Sequence, residues 1–249
     1  MSRWKPRSAG VEAVPSMRSE RLVVFVAGGR ATRLQDRAAD TPKALQPVAG
    51  VPLLDHLIRE AARLGFGRFH LALDHLYRPI VEHLTRRGMD FTWSLDDVPG
   101  GAGTAGAIRC AGGHLPEEFV VWLADTLPPA GLDGPVLAPP TAPAVARMAV
   151  STQVPDVVPN VVVEGGRVVG YDKHAAAGAT HVDAGLYALT RDVLRYVPGR
   201  RCDLEEVWPV LAEQGLIEAE VVSGRFLDIG TPDRLATAER EWRRVEPRA

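Results

Sequence analysis

The segment Leu22-Val23-Val24-Phe25-Val26-Ala27-Gly28-Gly29-Arg30-Ala31-Thr32-Arg33-Leu34 decides the fold class. Five consecutive apolar residues, Leu22–Val26, leave no face for solvent. That is the pattern of a strand covered on both sides, as in a parallel sheet between layers of helices. The run stops at Gly28 and Gly29, where the missing Cβ atoms let backbone N–H groups converge on an anion. Ligands of open α/β sheets bind at this carboxyl edge. Arg33 adds a planar fork that matches phosphate oxygens. Read alone, the same letters also suit a tight turn followed by a surface arginine. A dinucleotide-binding turn fits less well: the glycines do not spell G-x-G-x-x-G, and no acidic residue is expected to end the second strand as that fingerprint requires.

Outward from this strand, two periodicities alternate. Residues 52–64 place Leu53, Leu54, Leu57, Ile58 and Ala61 at i, i+3/i+4 spacing and stop at Gly65, which predicts a helix. Residues 69–73 predict a second strand, 77–87 a helix, 91–95 a third strand, 104–111 a short helix and 119–123 a fourth strand. Such alternation implies βαβ units and a parallel sheet. Eight prolines then fall between Pro128 and Pro159, so that stretch is expected to be loop or edge strand. Residues 161–164 and 167–171 around Gly165-Gly166 read as a hairpin, and 185–189 as a strand. Residues 204–214 read as a helix and 221–229 as a late strand region. Thr231-Pro232-Asp233 opens a last helix, with a hydroxyl N-cap and Pro at the first position. Trp93 and Trp122 read as core, and His56 and His83 as exposed or supporting residues rather than ligands. The expected fold class is α/β: a Rossmann-like, mainly parallel sheet with helices on both faces and a β-rich C-terminal insertion. Residues 1–20 read as a flexible tail and 21–245 as one domain, divided near residue 126.

The 249 residues are ample for a sizeable core. With 29 Lys+Arg against 31 Asp+Glu, the formal charge of −2 argues against nucleic-acid or membrane-surface binding. No apolar run approaches the roughly 20 residues of a spanning helix. Cys110 and Cys202 cannot build a disulfide framework and have no zinc spacing. The first twenty residues carry Arg3, Lys5, Arg7 and Arg18 but no apolar stretch, so they do not read as a secretory signal, and a cytoplasmic protein is expected. The 24 Gly and 20 Pro, roughly 18% of the chain against an average of about 12%, predict many turns, some of them close to a ligand.

The second chemically loaded segment is Thr41-Pro42-Lys43-Ala44-Leu45-Gln46-Pro47-Val48. Pro42 and Pro47 fix an extended loop and hold Lys43 in one direction. A solvent-exposed loop lysine is the plain alternative. Asp125 follows four apolar residues and emerges on the same sheet edge as Gly28 and Gly29, while Asp228 precedes a helix N-terminus. Mg²⁺ typically takes one or two carboxylates plus phosphate oxygens and waters, and these two could supply the carboxylates; a strand-end turn or cap for Asp125 and helix capping for Asp228 are the plain alternatives.

Together, AGGRATRL at 27–34, PKALQPV at 42–48 and GVPLLDHLI at 50–58 resemble the signature of sugar-1-phosphate nucleotidylyltransferases, and the resemblance extends from Leu22 to about Glu239. It implies a loop framing the nucleotide base at Gly103-Thr104-Ala105-Gly106 and a triphosphate loop at Ala27, Gly28, Gly29, Arg30, Ala31 and Thr32. It also implies sugar-phosphate contacts at Lys173, Asp183, Ala184 and Gly185, with Mg²⁺ held by Asp125 and Asp228. The implied reaction is in-line attack of a sugar 1-phosphate on the α-phosphate of a nucleoside triphosphate, with pyrophosphate leaving. The nucleophile is already ionised, so catalysis is positioning and charge neutralisation by Arg33, Lys43, Asp125 and the metal.

Within the family the short chain, the GTAGAI loop and the FLDIGTP ending look most like the D-glycero-D-manno-heptose 1-phosphate guanylyltransferase branch, with GTP as nucleotide. N-acetylmuramate-1-phosphate and cyclitol-phosphate enzymes are close neighbours, and a monomer or homodimer is the family expectation. Three positions depart from the pattern: Ala31 for glycine, Ala124 for glycine and Asp183 for asparagine. These motivate an alternative, a non-catalytic nucleotide- or sugar-phosphate-binding protein of the same fold.

Overall fold

The computed structural model describes residues 20–28, 41–74, 76–96, 98–129, 132–152, 157–174 and 176–245. The buried run forms β1 (Leu22–Val26). A small hairpin of β2 (Pro47–Val48) and β3 (Val51–Pro52) leads into α1 (Leu53–Arg63). Then come β4 (Arg68–Leu73), α2 (Tyr77–Arg86), β5 (Thr92–Leu95), α3 (Gly103–Cys110), β6 (Glu118–Leu123) and the short β7 (Thr126–Leu127). The second half supplies β8 (Ala146–Ser151), β9 (Val161–Glu164), β10 (Arg167–Tyr171) and β11 (Val182–Thr190). It ends with α4 (Leu204–Glu213), β12 (Ile217–Val221), β13 (Leu227–Asp228) and α5 (Pro232–Val245).

Nine strands make one sheet in the order β5-β4-β1-β6-β11-β8-β12-β10-β9. The first four in that order run parallel, as the βαβ pattern requires. β11 is antiparallel to both β6 and β8, β12 is parallel to β8, and the β9–β10 hairpin closes the far edge. Alternation along β1 serves two cores. Val23 and Phe25 pack with residues of α1, α2 and α5, whereas Leu22, Val24 and Val26 pack with residues of α3 and α4. Helices therefore cover both faces, and β1 is buried along its whole length. Among the described residues no helix is long and apolar enough to cross a membrane.

Four local expectations need correction. The proline-rich stretch contains an interior strand, β8, because no proline falls between Pro143 and Pro155 and that run is free to donate to both neighbours. The late strand region at 221–229 holds the short β13, but the longer strand β12, whose alternating Ile-Glu-Ala-Glu-Val hides its buried residue among acids, begins earlier, at Ile217. Trp93 is 38% exposed, because β5 is an edge strand, and its ring stacks on Tyr77 at 5.4 Å; Trp122 is the core residue expected. His56 is buried. Trp242 donates its indole N–H to Nδ1 at 3.1 Å, so Nε2 carries the ring proton and donates to the Val48 carbonyl at 2.9 Å. This clasp ties α5 and α1 to the β2–β3 hairpin just after Lys43.

Trp122→Ala is expected to destabilise the fold by about 3–5 kcal/mol, whereas Trp93→Ala costs roughly 1 kcal/mol, the value of an exposed aromatic pair. Urea denaturation followed by far-ultraviolet circular dichroism checks both; equal effects would contradict the placement of the two rings.

Candidate functional site

The carboxyl ends of β1 and β6 lie side by side, with Val26 registered on Leu123 and the Ala124 N–H donating to the Val26 carbonyl at 3.1 Å. Asp125 therefore emerges beside Ala27 and Gly28. The chain then turns into β7, which pairs antiparallel with β13 so that Asp228 faces Thr126. The Ile229 N–H donates to the Asp125 carbonyl at 3.0 Å. This two-residue ladder brings two aspartates separated by a hundred positions into one place.

Lys43 completes the group. It opens a short 3₁₀ turn, Lys43–Leu45, in which the Leu45 N–H donates to the Pro42 carbonyl. Its Nζ donates to Asp125 Oδ2 at 2.7 Å and lies 3.9 Å from Asp228 Oδ1. Thr126 Oγ1 donates to Asp125 Oδ1 at 3.1 Å. The Gly230 N–H donates to Asp228 Oδ1, and Arg234 Nη1 donates to Asp228 Oδ2 at 2.6 Å. Gly230 is required here, because a Cβ would come within 2.8 Å of that carboxylate oxygen. One position already touching both carboxylates is occupied by a cationic group, and all four oxygens are hard donors. This donor set fits Mg²⁺. Among the described residues no group of three or more His, Cys, Asp or Glu converges as a metal site, so the two aspartates would need substrate oxygens to complete one.

Two adjoining clefts flank this cluster, each of about 220 Å³. The first is lined by Ala27, Lys43, Ala44, Leu123, Ala124 and Asp125. The second runs over Gly28 past Asp74, Asp96, Gly100, Gly101 and Gly103 to Arg201 and Asp203. Val26 and Thr104 line both. Gly28 packs so tightly on the chain leaving β4 that a Cβ would meet that of Asp74 at 2.9 Å. Gly103, at φ +78°, sits where a Cβ would meet the Cys202 carbonyl at 2.5 Å. The loop before α3 is thus built against the start of α4. The Thr104 N–H donates to Asp203 Oδ1 at 2.9 Å, and the Leu204 N–H donates back to Thr104 Oγ1 at 2.8 Å. Thr104 lines both clefts, but its amide and hydroxyl are committed to α4.

The acceptor-side residues divide. Lys173 forms an ion pair with Glu205 in the first turn of α4 and lines neither cleft. Asp183, Ala184 and Gly185 lie where the β11–β8 register slips, and Gly185, at φ +70°, lies against Leu123 of the first cleft. The Asp183 side chain does not present itself as a free acceptor. Oδ1 takes the Gly185 N–H at 2.9 Å, and Oδ2 takes the Tyr187 hydroxyl at 2.8 Å and the Tyr171 hydroxyl at 3.3 Å. This explains the carboxylate in place of an amide, since every partner is a donor. Burial outweighs those bonds and pushes the Asp183 carboxyl up to about 6. The same burial, with the carboxylate beside them, pushes both tyrosine hydroxyls above their ordinary value. Gly29, Arg30, Ala31, Thr32 and Arg33 lie outside the described residues.

Sequence reasoning missed Asp74, Asp96, Arg201, Asp203 and Arg234. Asp74 and Asp96 carry a signal like that of Asp125, an acid just past a strand's carboxyl end, and Asp74 directly follows the second strand; the argument against a dinucleotide turn therefore rests on the glycine pattern alone. Arg234 had no such signal, because its partner lies six residues back across a turn.

The model of the MobA-like NTP transferase domain matches residues 23–195. The chain belongs to this family. The match runs from β1 through β11, including the Lys43 loop and Asp125, and stops before α4, β13 and α5. The chain is 29% identical over 229 residues to a mannose-1-phosphate guanylyltransferase of Mycobacterium tuberculosis, a match covering 84% of this chain and 61% of that protein. It is 32% identical over 108 residues to the bifunctional protein GlmU of Mycobacterium ulcerans, covering 42% of this chain and 21% of that one. The chain thus spans less than two thirds of these relatives. The inositol-1-phosphate CTP transferase from T. maritima shares the fold with TM-score 0.73 at 18% identity, over 90% of this chain and 97% of that one. HddC from Yersinia pseudotuberculosis does so with TM-score 0.73 at 22% identity, over 89% and 99%.

A carboxyl group that holds its proton up to about pH 6 in the folded chain and releases it near 3.8 when unfolded makes the folded state bind more protons between those values. Stability is then expected to fall as pH rises from about 4 to 6, and Asp183→Asn is expected to flatten that slope. Urea midpoints measured across this window check it; an unchanged slope in the variant would place the titration elsewhere.

Proposed function

We propose that this chain is a sugar-1-phosphate nucleotidyltransferase that joins a nucleoside triphosphate to a sugar 1-phosphate and releases pyrophosphate. The observation carrying this reading is the Lys43–Asp125–Asp228 cluster at the mouth of the cleft beside Ala27 and Gly28. In that reading the second cleft takes the base and the first the phosphates. Lys43 neutralises the α-phosphate region, Lys173 turns from Glu205 to the sugar phosphate, and Arg33 holds the departing phosphates. Asp125 and Asp228 would hold Mg²⁺, which would supply charge neutralisation of the phosphates. No general base is needed, because the attacking phosphate oxygen is ionised at neutral pH. The chain's own task is alignment and an electrostatic environment fixed before reaction.

GTP is the nucleotide this reading favours. Its support is the guanylyltransferase relative from M. tuberculosis and the solved HddC complex with GMP-PN, a chain of the same fold. A heptose 1-phosphate is the proposed acceptor, on the strength of the GTAGAI and FLDIGTP segments. A cyclitol phosphate is the second reading, favoured by the equal structural likeness to the inositol-1-phosphate CTP transferase. A cytoplasmic setting goes with a substrate that is a nucleoside triphosphate.

The purified protein, given each NTP with Mg²⁺ and a panel of sugar, heptose and cyclitol 1-phosphates, is expected to release pyrophosphate. Asp125→Asn is expected to lower kcat by roughly 10²–10³, the scale of losing one preorganised charge-stabilising group. Binding of NTP without turnover across the whole panel would instead favour a non-catalytic binding protein.

A further inference from the structure

The two candidate metal carboxylates carry a feature that the substrate chemistry does not require. All four of their oxygens have a partner within the chain. Asp125 uses Oδ1 for the Thr126 hydroxyl and Oδ2 for the Lys43 ammonium. Asp228 uses Oδ1 for the Gly230 N–H and Oδ2 for the Arg234 guanidinium. Two negative charges are matched by two positive ones. The match is local and directional: Lys43 is only 14% exposed in its side chain, and its 3₁₀ turn is anchored on both sides. Arg234 is held in the first turn of α5, where its own N–H is capped by Thr231 Oγ1 at 3.3 Å.

A divalent cation entering this site meets Lys43 on Asp125 and Arg234 on Asp228, and two cationic groups beside a doubly charged ion repel it. The balance changes when a polyphosphate lies in the adjoining cleft, because its oxygens supply new acceptors for both groups and further ligands for the metal.

We propose that Lys43 and Arg234 are resident counter-ions that keep Asp125 and Asp228 from taking up a divalent cation until an anionic substrate draws them away, and that Arg234 is the residue that tunes this block. The proposal rests on the metal assignment made under Proposed function and adds a regulation of that site. It gives Arg234 a positioning role before substrate binds, holding Asp228 in place across from Asp125. It also makes metal and nucleotide uptake one coupled event rather than two independent ones.

Mn²⁺ binding, read by its enhancement of water-proton relaxation, tests this on the full chain without any turnover. Wild type alone is expected to bind Mn²⁺ weakly, and at least tenfold more tightly once a non-hydrolysable GTP, CTP, UTP or ATP analogue is bound. Arg234→Gln alone is expected to bind Mn²⁺ roughly three- to fivefold more tightly than wild type, the range open to a partly exposed ion pair. Arg240→Gln, on the same helix but bonded to Thr237, is expected to change nothing. Adding Asp228→Asn to Arg234→Gln should abolish the gain. If wild type without nucleotide binds Mn²⁺ as tightly as Arg234→Gln does, the counter-ion proposal is overturned while the metal assignment stands. If wild type shows no Mn²⁺ enhancement with any of the four analogues, the metal assignment and the proposal fall together.

Discussion

The pairing of Thr126–Leu127 with Leu227–Asp228 is the constraint on which the site depends. It is only two residues long on each side, yet it fixes Asp228 opposite Thr126 and next to Asp125. Everything else converges on it. β1 and β6 deliver Asp125 to the sheet edge, the β2–β3 hairpin and α1 hold the Lys43 turn, and α5 returns over the sheet with Arg234 and Trp242. So short a ladder has little stability of its own. It is held because Leu127, Leu227 and Ile229 are buried in the same core as β1.

A second junction joins the two halves of the cleft. The first turn of α4 faces the loop before α3 through Asp203 and faces Lys173 through Glu205. Asp203 and Glu206 form a capping box, so this turn is rigid where it meets both. The loop before α3 and the segment bearing Lys173 are therefore referred to one helix end rather than to two loops. That is how a fold with many glycines and prolines keeps its geometry.

The two halves of the chain differ in how legible they are. Much of residues 22–127 follows simple periodicity, because β1, β4 and β6 are buried on both faces and α1 and α2 each have one apolar stripe. The order of those elements, and the parallel sense of their strands, follow from that pattern. The second half depends on contacts made far away in sequence. β8 is an interior strand only because β11 and β12 flank it, and β12 alternates acids that pair with Arg147 of β8. Asp183 shows the same limit at the level of a side chain. Read alone, it is an acceptor-only group in a substrate pocket; in the fold it is the shared acceptor of two tyrosine hydroxyls and a glycine N–H.

By itself the sequence determined the α/β class and the buried strand that leads to Gly28, and it singled out Lys43, Asp125 and Asp228. Local patterns suffice for these, since burial, turn chemistry and strand ends are written in neighbouring residues. Only the tertiary structure decided that Lys43 stands between the two aspartates, that Arg234 holds the second of them, and that Thr104 spends its polar groups on α4. Those facts are set by distances between residues far apart in the chain, or on either side of a turn, which no local pattern encodes.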